Sequence, residues 1–352
     1  MTNHDRIRFG FFGGPHNDVE FCKMAEGLGV DALAWGESPV QFPDPYLCML
    51  QAAQHTKTAL LGTVVTCPGL RHPVAHANTL QELQRLSGGR IFCGIGTGDL
   101  ALIEMGEKPY KMADFVEYAT AVKDLTAGRE IECNGRPLRM RTEPAPPVPV
   151  WFGADGPRGI AEAGRNADGI VIAQVGSADV VTTAIRRARA AAEDAGRSLD
   201  DLDIWFMLRV VPTDRVDGAT DIDGLDEYVT RALRFMWRTA GSPGPDDDLA
   251  AILLQQRGYN IDPDIARRIC EFNARWDESR SFGSKHHVHL MDELNLRDFA
   301  VGYFFISGPP EHIAERTQAL IDAGARNFFT PFMAGDRYHL AQETARILNR
   351  LR

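Results

Sequence analysis

The sequence predicts an α/β fold: a (β/α)8 TIM barrel with an inserted, mostly helical segment before the last βα unit. Three observations carry this expectation. Short apolar runs alternate with amphipathic helical stretches along the chain. The runs are continuously apolar, as parallel strands covered on both faces require. Eight such runs can be placed, which favours a closed barrel over a doubly wound sheet. The length of 352 residues suits two average domains or one large barrel. No internal repeat or long linker interrupts the chain, so a single domain over 1–352 is expected.

The elements follow in order. Ile7–Phe12 reads as the first strand, and Asp18–Leu28 as a helix with Val19, Cys22 and Ala25 at helical spacing. Asp31–Trp35 is the second strand, and Asp44–His55 a helix with Pro45 in its first turn. Ala59–Thr66 is the third strand, and Pro73–Leu86 a helix closed by Gly88-Gly89. Ile91–Ile95 is the fourth strand, and Tyr110–Leu125 a helix stopped near Gly128. Glu130–Met140 reads as a two-stranded excursion around an Asn134-Gly135 turn, followed by a rigid connector with Pro144, Pro146, Pro147 and Pro149. Val150–Gly153, Gly169–Ala173 and Ile204–Val211 are strands five to seven, with helices over Pro157–Arg165 and Ala178–Ala195. Pro310–Ala323 is a helix, Asn327–Phe332 the eighth strand, and Asp336–Leu351 the closing helix.

The segment 240–300 breaks this rhythm. It opens on Gly241-Ser-Pro-Gly-Pro and Asp246-Asp247-Asp248, and carries Tyr259, Phe272 and Trp276 on helical stretches. At the C-terminal end of a barrel such an insertion is a lid or substrate wall. The other reading is a dimerisation or stabilising excursion. The lid is the reading we favour.

A net charge of −10 leaves no basic surplus for neutralising phosphates, which argues against a nucleic-acid partner. The six cysteines are scattered without Cys-x-x-Cys pairs, as expected of buried thiols in a reducing compartment. The first residues show no signal-peptide core, and no apolar run reaches membrane-spanning length. A cytoplasmic protein acting on a small molecule is expected.

In a barrel the active site lies at the C-terminal ends of the strands. The fourth strand ends in Gly94-Ile-Gly-Thr-Gly-Asp99, bare backbone beside one carboxylate. This is either a ligand loop or a tight turn; it is not the dinucleotide fingerprint, since Gly94, Gly96 and Gly98 alternate. Strand two ends at Trp35-Gly36-Glu37-Ser38, so Glu37 and Asp99 are the candidate catalytic pair. Phe11, Phe12, Trp35 and Phe152 are placed as walls. The loops Gly153-Ala154-Asp155-Gly156 and Gln174-Val175-Gly176 precede helices and offer N–H groups to a phosphate, with Arg158 nearby. His72 begins a helix at the cavity and is a candidate substrate contact. His287, in the cluster His286, His287 and His289, is either a solvated loop residue or a substrate contact in the lid. Those histidines lack metal-ligand spacing, so no metal is expected. No Gly-x-Ser-x-Gly elbow supports covalent catalysis.

Three stretches resemble the flavin-binding, luciferase-like barrel family: Gly62-Thr-Val-Val-Thr-Cys-Pro-Gly-Leu-Arg-His-Pro73, Leu86 through Asp99, and Gly153 through Gly169. The Gly-Ile-Gly-Thr-Gly-Asp form is most similar to the branch using the deazaflavin coenzyme F420, which includes methylenetetrahydromethanopterin reductases and glucose-6-phosphate dehydrogenases. The resemblance implies a non-proline cis peptide in strand three, at Thr63–Val64, forming a bulge behind the ring. It implies ring contacts from Phe11, Thr63, Val64, Thr66, Gly96, Thr97 and Gly98, and phosphate contacts from the loops after strands five and six. It also implies hydride transfer to or from a small organic substrate, and a homodimer. In the sugar-phosphate branch strand two ends in Asp-His and the histidine is the base. Here the aligned pair is Gly36-Glu37, so a proton must move through Glu37 or Asp99. Lys and Arg for a polyglutamate tail are not obvious, so the alternative is an FMN-dependent monooxygenase fed by a separate flavin reductase. A third reading is a cofactor-binding protein without turnover.

Overall fold

The structure is a computed structural model that describes residues 6–13, 18–173, 175–216, 225–239, 252, 254–255, 258–277, 280, 284–332 and 335–352. Eight parallel strands close a barrel: β1 (Arg8–Phe12), β2 (Ala32–Trp35), β3 (Leu60–Thr66), β4 (Ile91–Ile95), β7 (Val150–Gly153), β8 (Gly169–Ile172), β9 (Asp203–Met207) and β12 (Asn327–Thr330). They neighbour one another in chain order, and β12 pairs back onto β1. The eight apolar runs of the sequence are these eight strands. Between them, β5 (Ile131–Cys133) and β6 (Arg136–Leu138) form the expected antiparallel hairpin. Its turn places Asn134 at φ 51° and Gly135 at φ 73°, the paired positive angles of a tight hairpin turn.

Helices α1 (Val19–Gly27), α2 (Pro45–His55), α3 (Pro73–Ser87), α5 (Met112–Thr126), α6 (Pro157–Asn166) and α7 (Ala178–Asp194) cover the outside, with a single-turn α4 (Ala101–Glu104) after β4. Their start signals are local. Asp18 and Asp44 accept hydrogen bonds from the first amides of α1 and α2, and Pro157 opens α6. The outward-facing residues Phe11, Leu33, Leu61, Ile95, Phe152 and Ile170 bury the helices' apolar faces.

The barrel interior is filled by aromatic rings. Phe92, Trp151, Trp205 and Phe329, from β4, β7, β9 and β12, stack in succession at centroid distances of 4.0, 5.7 and 4.3 Å. Small residues on the other strands make room for them. A methyl at Gly62 would meet the Phe92 ring at 2.5 Å, and one at Gly10 would meet Phe329 at 2.4 Å. This layer packs the barrel interior beneath its C-terminal mouth.

The seventh barrel strand is shorter than expected. Leu208 N–H makes a last bond to Phe329 C=O at 2.8 Å, and the chain then leaves the barrel. Val210–Pro212 forms β10, which pairs in parallel with β11 (Ile306–Gly308) at the far end of the excursion. Helical structure begins upstream of residue 240, with α8 (Asp226–Thr239), and continues through helices over Pro263–Ala274, Lys285–Glu293 and Arg297–Phe304. These share a core of their own, including Leu233, Met236, Ile269, Phe272, Met291 and Phe304. The Gly241–Pro245 and Asp246–Asp248 signals lie outside the described residues. Two further helices, Pro310–Asp322 and Arg337–Leu348, flank β12. Among the described residues no helix is long and apolar enough to cross a membrane.

Candidate active site

A cavity of about 800 Å³ opens over Val64, Val171 and Met207, which pack on the aromatic layer, and all eight barrel strands or the loops after them contribute to it. It gathers Glu37, Val64, Thr66, Gly96, Thr97, Gly98, Asp99, Gly153, Ala154, Asp155 and Gly156 from the expected set. It also gathers residues that the sequence had not singled out: Ser38, Phe42, Val65, Cys67, Met112, Met207, Arg209 and Phe332, and from α8 Tyr228, Arg231, Ala232 and Phe235.

Strand parity decides who reaches the cavity. Successive side chains on a strand face opposite ways. Ala32 and Ala34 face the barrel interior, so Trp35 packs outward among the helices. Phe11 likewise turns outward, edge-on to Phe332 at 4.8 Å, and its neighbour Phe12 lines the cavity instead. Phe152 packs against Phe115 of α5 at 4.7 Å. Thr63 is fully buried, its hydroxyl donating to Gly94 C=O at 2.8 Å.

The remaining expected contacts also lie elsewhere. His72 is exposed and caps α3, its Nδ1 accepting from Val74 N–H at 3.3 Å. His287 is fully buried within the excursion, stacked on Trp276 at 3.5 Å. Val175 packs into the main core. Gly176 faces protein, since a methyl there would fall 1.8 Å from the Tyr303 ring. Gln174 lies outside the described residues. The non-proline cis peptide is Val64–Val65, one bond beyond the expected Thr63–Val64. Thr63 still pairs in register with Cys93, and the ladder shifts only between Thr63 and Thr66.

One side of the cavity is main chain. Gly96 N–H donates to Thr66 C=O at 2.7 Å, fixing the β4 loop against β3. Methyls at Gly96 and Gly153 would meet the Val65 side chain at 2.8 and 3.0 Å, so both faces beside Val65 are bare by necessity. Gly98 sits at φ +94°, where a side chain is strained, and turns the chain into Asp99. Beyond it, Gly156 opens α6 with no side chain capping the helix. Gly156–Gly159 line the cavity, so the N-terminus of α6 borders it. A flat ring with a phosphate fits this arrangement: bare backbone for the ring, a helix N-terminus for the anion. Asp155 has a structural task, accepting from Ala173 N–H at 2.7 Å. Arg209 then donates to Ala173 C=O at 2.8 Å, and burial pulls its guanidinium down to about 10.

The other distinctive group is Glu37. Its N–H donates to Val65 C=O at 3.2 Å, tying the β2 loop to the cis segment. The carboxylate is buried, with the Thr66 hydroxyl donating to Oε2 and Arg71 3.4 Å from Oε1. Burial raises its pKa, against the lowering effects of Thr66 and Arg71. Glu37 is therefore a buried carboxyl at the cavity wall whose burial favours the protonated form against Thr66 and Arg71. Asp99 sits half-buried on the β4 loop.

The model of the family described as luciferase-like monooxygenase matches residues 13–327. An F420-dependent glucose-6-phosphate dehydrogenase from Nakamurella multipartita is 28% identical, over 98% of this chain and 97% of that protein. A 5,10-methylenetetrahydromethanopterin reductase from Methanopyrus kandleri is 25% identical, over 78% of this chain and 76% of that protein. The solved structure of a coenzyme F420-dependent tetrahydromethanopterin reductase from Methanopyrus kandleri superposes with a TM-score of 0.72 at 20% identity. It covers 99% of this chain and 100% of that one, and shows the shared fold. The chain belongs to the luciferase-like monooxygenase family, and it is an enzyme of that family.

Proposed function

We propose that this enzyme transfers a hydride between the deazaflavin coenzyme F420 and a small organic substrate. The observation that carries the reading is the pairing of a bare main-chain cradle with the buried carboxyl of Glu37 in the same cavity. The full-length similarity to F420-dependent enzymes supports the choice of cofactor.

Bound in the cradle, F420 supplies or accepts the hydride. Val64–Thr66, Gly96–Gly98 and Gly153 would hold its ring, and the N-terminus of α6 would hold its phosphate. Glu37 carries the proton that accompanies hydride: when a carbonyl carbon gains hydride, its oxygen gains the proton from Glu37. Asp99 orients the polar edge of ring or substrate at the mouth. Phe12, Phe42, Met207, Phe235 and Phe332 exclude water from the substrate side. The helical excursion, through α8, serves as the substrate wall.

Fluorescence titration tests the cofactor. F420 quenching with a saturable, tight isotherm and no FMN binding is the expected result. Tight FMN binding without F420 binding would overturn this reading in favour of an FMN-dependent monooxygenase. Binding of neither would point to a barrel without either cofactor.

A further inference from the structure

Behind Glu37 lies a buried chain of polar side chains that the reaction above does not use. Tyr46 of α2 meets His76 Nε2 of α3 at 2.7 Å through its hydroxyl. His76 Nδ1 meets the Tyr118 hydroxyl of α5 at 2.9 Å. The Tyr118 hydroxyl donates to Arg71 C=O at 3.0 Å. His76 is fully buried, and Tyr46 and Tyr118 are nearly so. Three helices thus converge on one line of hydrogen bonds that ends at the active-site carboxyl, 3.4 Å from Tyr46.

Counting hydrogens gives the line a direction. A carbonyl only accepts, so the single hydroxyl hydrogen of Tyr118 goes to Arg71 C=O. Tyr118 then faces His76 with a lone pair, and His76 Nδ1 carries the ring hydrogen. Nε2 is left as an acceptor; the Cys93 thiol lies 3.5 Å from it, and the Tyr46 hydrogen goes to it across the shorter, 2.7 Å contact. What Tyr46 turns toward Glu37 Oε2 is a lone pair.

We infer that Tyr46, His76 and Tyr118 are positioning residues: they lock His76 as the Nδ1–H tautomer and so present an acceptor, not a donor, to Glu37, favouring its protonated form. The groups facing this cluster are consistent with that task. Arg71, from the β3–α3 loop, and Thr66, from β3, favour the carboxylate, whereas Asp44, from the β2–α2 loop, opposes it. The Cys67 and Cys93 thiols are both pushed up to about 12 by burial and remain neutral. His76 is pulled down to about 3 by burial and by Arg71, so no imidazolium competes. The inference rests on the reading of Glu37 as the proton carrier, but its structural half can be tested apart from it.

Nitrogen-15 NMR of histidine-labelled enzyme reads the tautomer directly, with His76→Gln assigning the signal. A neutral Nδ1–H ring, unchanged across the neutral pH range, is expected. An Nε2–H or charged ring overturns the inference. Tyr118→Phe touches neither Glu37 nor the cavity. It should free the tautomer, let Tyr46 donate to Glu37, and make Glu37 titrate about one pH unit lower. The readout is the infrared carbonyl band of protonated Glu37, identified by its loss in Glu37→Gln. An unmoved band in folded Tyr118→Phe overturns the inference. Full turnover in Glu37→Gln would instead overturn the proton-carrier reading, with the tautomer and band results standing unaffected.

Discussion

The cavity wall built by β3, β4 and β7 presents main chain, whereas the wall built by α8 presents side chains. Val64–Thr66, Gly96–Gly98 and Gly153–Gly156 leave bare backbone and helix amides, anchored by strand ladders on both sides. Tyr228, Arg231, Ala232 and Phe235 project from a helix whose core is separate from the barrel's. The difference teaches a division of labour. Backbone held in a closed barrel cannot be altered one residue at a time without disturbing the ladder, so it suits a constant partner such as a cofactor. Side chains on an excursion can be exchanged freely, so they suit a substrate that differs from one relative to the next.

Beneath the cavity lies the aromatic layer of the barrel interior, and disrupting it should have the largest effect. Phe92→Ala removes one ring of the aromatic layer and should cost about 3–5 kcal/mol of stability, measured by denaturant unfolding. A loss below about 1 kcal/mol would mean that the rings are loosely packed and do not set the cavity's shape.

Glu37 lies on the main-chain side, hydrogen-bonded to Val65 and Thr66. Glu37→Gln should lower turnover about 100-fold or more while F420 affinity is retained. The sign of the pH dependence follows from its raised pKa. The folded enzyme keeps the proton at pH values where an ordinary glutamate has lost it. The active acid form therefore persists through that range and disappears as pH rises through the raised value. Folding stability falls over the same window, because the folded state binds more protons there than the unfolded chain. Glu37→Gln should remove both slopes, checked by kcat/KM profiles and by melting temperature against pH.

The main-chain wall is probed by Gly96→Ala, which places a methyl 2.8 Å from Val65 Cγ2. F420 affinity should fall about tenfold, or ~1.4 kcal/mol, with little change in KM for substrate. The side-chain wall is probed by Phe235→Ala, which should raise KM severalfold through lost apolar contact, worth about 1 kcal/mol, and leave F420 affinity unchanged. A reversal, with Phe235→Ala weakening F420, would merge the two walls into one.

The barrel was legible because its strands are buried on both faces, which writes them as unbroken apolar runs. The same property hides parity. In a run such as Ala32-Leu-Ala-Trp35 both faces are apolar, so nothing local marks Trp35 as outward. Phe11 and Thr63 fail for the same reason, each one residue from the side chain that reaches the cavity. Glycine is ambiguous in another way. Gly96 is bare to admit Val65 on the cavity's own wall, whereas Gly176 is bare to admit Tyr303, more than a hundred positions away, and only packing distinguishes the two. Tyr46, His76 and Tyr118 come from three different helices, so no motif announces their line of hydrogen bonds. The contribution of α8 was hidden because an amphipathic helix does not state which surface it covers.

The most direct test of the account is a crystal structure of the enzyme with F420 bound. The account predicts the deazaflavin ring against Val64–Val65, with Gly96 and Gly153 beside it. The phosphate would sit at the start of α6, and the open face of the ring would look toward Glu37 and Phe235. A ring seated in the helical excursion, or a phosphate remote from Gly156–Gly159, would contradict it.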